Sequence, residues 1–157
     1  MLLLSLNARG LCREEKVNAV IFQSHCDILC LQETKWDILK EKEMSQKWKG
    51  KMFSAISSTQ AGGVAIFVRE GLFNNCHLVH RDQQGKFIII DFFYNNISCR
   101  LINIHAPNRH TGKDRLQQWG KFYDHHAHRK YQGLGPDGLR SVRFLYLKEQ
   151  WLVFHLL

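Results

Sequence analysis

The sequence predicts a layered α/β (α+β) domain, and three features predict it. Apolar runs at residues 2–6, 27–32 and 101–104 each stop at a polar residue, as buried strands do at a sheet rim. Two segments with helical character, 14–24 and 37–48, lie after the first two runs. Residues 76–104 are strand-rich and broken only by turn signals. Strands with interspersed helices imply layers packed around a common core.

Taken in order, residues 2–6 read as a strand that ends in Asn7. Residues 14–24 follow as a helix, with Val17, Val20 and Ile21 at helical spacing and Arg13, Glu14, Glu15 and Lys16 opening a polar face. Residues 27–32 form a second strand, with Glu33 just beyond its end. Residues 37–48 are charged and helix-prone, with Ile38, Leu39 and Met44 as a thin apolar stripe. A short strand at 51–56 and a small-residue loop at 57–63 precede the apolar run 64–68, which has the composition of a strand covered on both faces. Gly62-Gly63 lacks a Walker-type lysine and reads as the turn into that strand. Strands at 76–81, 86–94 and 97–104 are separated by 82–85 and by Asn95-Asn96, the second tight enough for a hairpin. Residues 113–126 suit a helix, and 131–138 a loop.

Composition narrows the class. The 157 residues are 45% hydrophobic and 23% charged, which suits a globular chain rather than a disordered one. Five cysteines lie in or beside apolar runs without C-x-x-C pairing, so a reducing nucleus or cytoplasm is expected rather than secretion. Met1-Leu2-Leu3-Leu4 has no basic leader and is too short for a signal peptide. No run reaches the ~20 apolar residues of a membrane helix, so no membrane partner is expected. Net charge is +8, of which residues 109–157 carry +5. That balance favours a polyanionic partner, since neutralised phosphates release counterions. The cluster His125-His126-x-His128 has no credible tetrahedral spacing and is read as solvated.

Four segments carry a family resemblance: Ser5-Leu6-Asn7-Ala8-Arg9-Gly10-Leu11, Leu31-Gln32-Glu33-Thr34-Lys35, Gly62-Gly63-Val64-Ala65-Ile66-Phe67 and Ile102-Asn103-Ile104-His105-Ala106-Pro107-Asn108. Their order and spacing resemble the N-terminal part of an endonuclease/exonuclease/phosphatase domain. They are most similar to the apurinic-type endonuclease domains of LINE-type (non-LTR) retrotransposons. The resemblance implies half of a four-layered α/β sandwich over residues 1–126, followed by an unrelated or divergent basic-then-apolar tail at 127–157.

It also implies chemistry. Glu33 maps onto a carboxylate that ligates Mg2+ or Mn2+, a hard cation that takes oxygen ligands. Asn7 belongs to the active-site shell, where its amide can orient a carboxylate, a water or a phosphate oxygen. His105 stands where most apurinic-type relatives carry a tyrosine that hydrogen-bonds the scissile phosphate, and Asn108 lines the same side. Arg9, Lys35 and Asn103 are candidate nucleic-acid contacts, with Trp36 beside them. DNA is the implied substrate, and the parent polyprotein would carry a reverse transcriptase.

The sequence departs from the family at its later motifs. A strand ending in Gly-Asp-Phe-Asn and a Ser-Asp-His motif are absent from these residues, which removes the general-base side. Feeble or no turnover is therefore expected of the chain by itself. A sandwich cut midway exposes an inner face and a strand edge, and the apolar segment 141–157 is expected to cover part of them. Two other readings stay open: a non-catalytic nucleic-acid-binding fragment, and a phosphatase or lipid phosphodiesterase of the same superfamily.

Overall fold

Two apolar faces on one strand explain the layering. The structure, a computed structural model, describes residues 1–105 in full and the strands at 142–147 and 150–156 by their backbone. Asn108 and the helix expected over 113–126 lie outside the described residues. β1 (Leu3–Asn7) and β2 (Ile28–Gln32) pair in parallel, and β3 (Gly50–Ala55) and β4 (Val64–Arg69) complete a sheet of order β1-β2-β4-β3. β4 is antiparallel to both of its neighbours.

Alternation along β2 and β4 sorts their side chains between two cores. Ile28, Cys30, Val64, Ile66 and Val68 pack against the second sheet, while Leu29, Leu31, Ala65 and Phe67 pack toward the helices. A strand covered on both sides has no polar positions, which is why 64–68 reads as a continuous apolar run.

The helical layer holds α1 (Glu14–Val17), a π-helical turn at Asn18–Phe22 and α2 (Ile38–Lys47). The single helix expected over 14–24 thus widens after Val17, where Gln23 N–H donates to Asn18 O at 2.9 Å. Val17 and Ile21 remain buried across the change. Asp37 caps α2 by accepting from Lys40 N–H at 2.7 Å, and Met44 is its buried anchor.

The second sheet is antiparallel, in the order β5 (Asn74–Arg81), β6 (Phe87–Tyr94), β7 (Ile97–His105), β9 (Gln150–Leu156), β8 (Val142–Leu147). Asn95 and Asn96 both take positive φ, 49° and 62°, as a two-residue turn between β6 and β7 requires. The apolar segment read as a tail forms β8 and β9, and β9 pairs with β7 from Cys99↔Leu156 to His105↔Gln150. The edge that β7 would otherwise present is thereby hydrogen-bonded.

Four of the five cysteines are core thiols: Cys26, Cys30, Cys76 and Cys99 are buried, and Cys12 is exposed. Burial pushes the Cys76 thiol up to about 11 and raises that of Cys30 further, so neither is a ready nucleophile.

On the outer face of the second sheet, Asp91 and Arg100 stand opposite each other on β6 and β7. Arg100 Nε and Nη2 donate to the two carboxylate oxygens at 2.7 and 2.6 Å, with both residues buried. Removing one partner strands a buried charge. Arg100→Leu is expected to lower the unfolding free energy by about 3–5 kcal/mol in urea denaturation, and Asp91→Leu/Arg100→Leu to recover most of that loss. A single-variant cost below about 1 kcal/mol would show that the pair behaves as a surface bridge.

Candidate active site

Parallel pairing delivers two strand ends to one rim. β1 and β2 stay in register through Asn7↔Gln32, so Asn7 and Glu33 emerge side by side. Ligand sites in open α/β sheets lie beyond the carboxyl ends of such strands. Asn7 Nδ2 donates to Glu33 Oε1 at 2.9 Å, and Asn7 Oδ1 accepts from Arg9 N–H at 3.0 Å. The amide therefore fixes the carboxylate on one side and the turn on the other.

The pairing continues beyond the strands. Ala8 N–H donates to Gln32 O, Gly10 N–H to Glu33 O and Leu11 N–H to Thr34 O, at 2.7, 2.7 and 2.9 Å. From the other side, Thr34 and Lys35 N–H groups donate to Gly63 and Gly62 carbonyls, both at 3.1 Å. Lys16 reaches from α1 to donate to Ala8 O at 2.6 Å and Gly10 O at 3.0 Å. This bonding holds three non-glycine residues in the left-handed region: Arg9 at φ 48°, Glu33 at 53° and Lys35 at 54°. Each costs of order 1–3 kcal/mol and persists only where its surroundings over-determine it. Gly63 has φ 85°, and a Cβ there would lie 2.5 Å from Thr34 Oγ1, so no larger residue fits beneath the Glu33 turn.

His105 enters from the second sheet at the end of β7, its N–H donating to Lys86 O at 2.7 Å. The ring is half-buried, and its buried Nδ1 has no hydrogen-bond partner among the described residues. Burial lowers its pKa from the ordinary 6.5, against the opposing pull of the Glu33 charge. The neutral imidazole, with one donor and one acceptor, is the favoured form.

Asn7, Glu33 and His105 come to one rim, with Arg9 exposed and Lys35 half-buried beside them. Asn103 corrects an expectation: it is fully buried, its amide donating to Leu31 O at 3.0 Å and Ala65 O at 2.9 Å, so it cannot touch a nucleic acid. Trp36 is likewise a core residue, its indole donating to Leu11 O at 2.8 Å. Lys16, and the support that Gly62-Gly63 gives the turn, were not found by motif; a lysine nine residues past a strand end carries no distinctive pattern.

The donor set suits a hard cation held loosely. Glu33 is half-buried and keeps acceptor capacity beyond the one bond from Asn7. Mg2+ commonly rests on one or two carboxylates and retains several waters. Among the described residues no three His, Cys, Asp or Glu side chains gather into a ligand set. Glu33 could give such an ion one carboxylate ligand, oriented by the bond from Asn7.

The depressed His105 pKa has a thermodynamic consequence. An unfolded chain takes up a proton at His105 near pH 6.5, while the folded chain resists until lower pH, so stability falls as pH drops through that window. Between about pH 7.5 and about pH 5.5, the urea midpoint of the native chain should fall further than that of His105→Gln, which removes only this contribution. Equal falls would place His105 in water.

Comparison with known proteins agrees with this architecture. The crystal structure of truncated Caenorhabditis elegans TDP2 is similar at a TM-score of 0.53, with 17% identity over 88% of this chain and 75% of that one. At that identity the likeness shows the fold alone. No curated protein matches the sequence. The model of the Endonuclease/Exonuclease/phosphatase family matches residues 4–137. Having that match over most of its length and two packed α/β sheets with a polar rim at paired strand ends, the chain belongs to the Endonuclease/Exonuclease/phosphatase family, which includes Mg2+-dependent nucleases and phosphodiesterases.

Proposed function

We propose that the chain is a Mg2+-dependent DNA endonuclease domain of LINE-type retrotransposon origin, whose 157 residues alone turn over feebly or not at all. The reading rests on one observation above the others: the Asn7–Glu33 contact at the paired ends of β1 and β2. It presents a carboxylate, already oriented, at a rim beside exposed Arg9 and half-buried Lys35. The net charge of +8 suits a polyanionic substrate. In the parent polyprotein such a domain would accompany a reverse transcriptase.

The roles follow from the groups present. Glu33 holds the cation, which when bound neutralises the non-bridging and leaving oxygens of a phosphodiester. Asn7 keeps the carboxylate in one rotamer. In this reading His105, uncharged, donates a ring N–H to a phosphate oxygen, the role the resemblance implies for this position, and Arg9 and Lys35 position the backbone of the duplex. Asn108 lines the phosphate side in the same reading. The Gly-Asp-Phe-Asn and Ser-Asp-His motifs do not occur in the sequence. Each missing general base or phosphate-stabilising donor removes ~10²–10⁴ of rate.

The deciding experiment is nicking of supercoiled plasmid with Mg2+, set against EDTA and Glu33→Ala. Slow nicking that both controls abolish supports the endonuclease reading. If no nicking occurs and DNA binding is salt-sensitive yet indifferent to Mg2+ and to Glu33→Ala, the chain is a non-catalytic nucleic-acid binder. Hydrolysis of phosphoinositides without action on DNA would overturn both.

A further inference from the structure

We propose that the buried Gln32–Asn103 amide pair is a positioning device that sets the gap between Glu33 and His105; it rests on the reading of Glu33 as the metal-holding carboxylate. Asn103 lies on β7, fully buried, and its Nδ2 donates to the carbonyls of Leu31 and Ala65. Those two residues face each other across β2 and β4. Two carbonyl acceptors decide which end of the amide meets the first sheet, so Oδ1 is left for Gln32. Gln32 Nε2 fills it and also donates to Ser5 Oγ at 3.1 Å. One pair of amides thus ties β7 to β2, β4 and β1.

Its place along the strands gives the tie a role at the site. Glu33 is the residue after Gln32, and His105 stands two residues after Asn103 on the same face of β7. A shift at the amide pair therefore moves both walls of the site. Packing alone does not call for amides here. Gln32 Oε1 is buried without a donor among the described residues, a penalty that an apolar pair of similar volume would avoid. Groups behind a metal ligand that fix its orientation typically control metal affinity 10–100-fold.

The test uses Mn2+ as the probe, titrated into the full chain and followed by its EPR signal, with unfolding curves recorded separately. Gln32→Met and Asn103→Leu keep volume and remove the amide bonds; Ser5→Ala removes the outer tether while leaving the Gln32–Asn103 bond in place. Gln32→Met and Asn103→Leu are expected to weaken Mn2+ binding about tenfold or more while unfolding stays cooperative, with Ser5→Ala intermediate. Folded variants that bind Mn2+ as the native chain does would overturn the proposal, even if their stability falls. Should Asn103→Leu fail to fold, Gln32→Met and Ser5→Ala decide. If native binding ignores Glu33→Ala, the metal reading fails instead. The pair is then judged by NMR: Glu33→Gln should shift the His105 ring resonances in the native chain and not in Gln32→Met. An equal shift in both would overturn the positioning role.

Discussion

The parallel ladder between β1 and β2 is the constraint on which the site depends. Its register ends at Asn7↔Gln32, so the residue that follows β2 is the carboxylate that the asparagine meets. A one-residue slip would turn Ile28 and Cys30 out of one core and Leu29 and Leu31 out of the other, because side chains alternate with period two. Hydrophobic burial on both faces of β2 therefore holds the Asn7–Glu33 contact in place. The chemistry at the rim is positioned by apolar residues that take no part in it.

Much of this was legible because the physical signals were local. Strand ends and the Asn95-Asn96 turn follow from residue type, and each falls within a residue or two of its expected place. Asn7 and Glu33 were legible as a pair because both stand at the polar end of an apolar run. Asn103 was not, for a reason of parity. β7 is buried on both faces, with Cys99 and Leu101 inward and Arg100, Ile102 and Ile104 on the other side. Neither face reads as polar, so the alternation cannot say which way an asparagine points. The pairing of β9 with β7 joins residues about fifty apart, and the sequence offers apolar character there without a partner. The widening of the first helix leaves no trace in composition, since Val17 and Ile21 keep helical spacing.

Strain and support are balanced at the rim in a way that suits a binding surface. Three left-handed residues stand close together, and none is glycine. Their backbone is held by the extended β1–β2 pairing, by the Gly62 and Gly63 carbonyls and by the Lys16 ammonium. Lys16 also brings its ammonium against the loop, where it donates to the Ala8 and Gly10 carbonyls. Arg9, the exposed member of the trio, is thereby presented on a fixed backbone rather than a mobile turn. A rigid support lowers the ordering cost of an encounter with a ligand.

Among the described residues, Glu33 is the anion at a rim that also holds Asn7, Arg9, Lys35 and a histidine that burial keeps toward its neutral form. Without a cation, Glu33 would repel a phosphate; with one, the sign of the local field reverses, as bound ions commonly dominate their surroundings. A neutral His105 fits that reversal, because an imidazolium so near would compete with the cation for the carboxylate. Burial biases His105 toward its neutral form, and the same inter-sheet packing that buries the end of β7 brings it within electrostatic reach of Glu33.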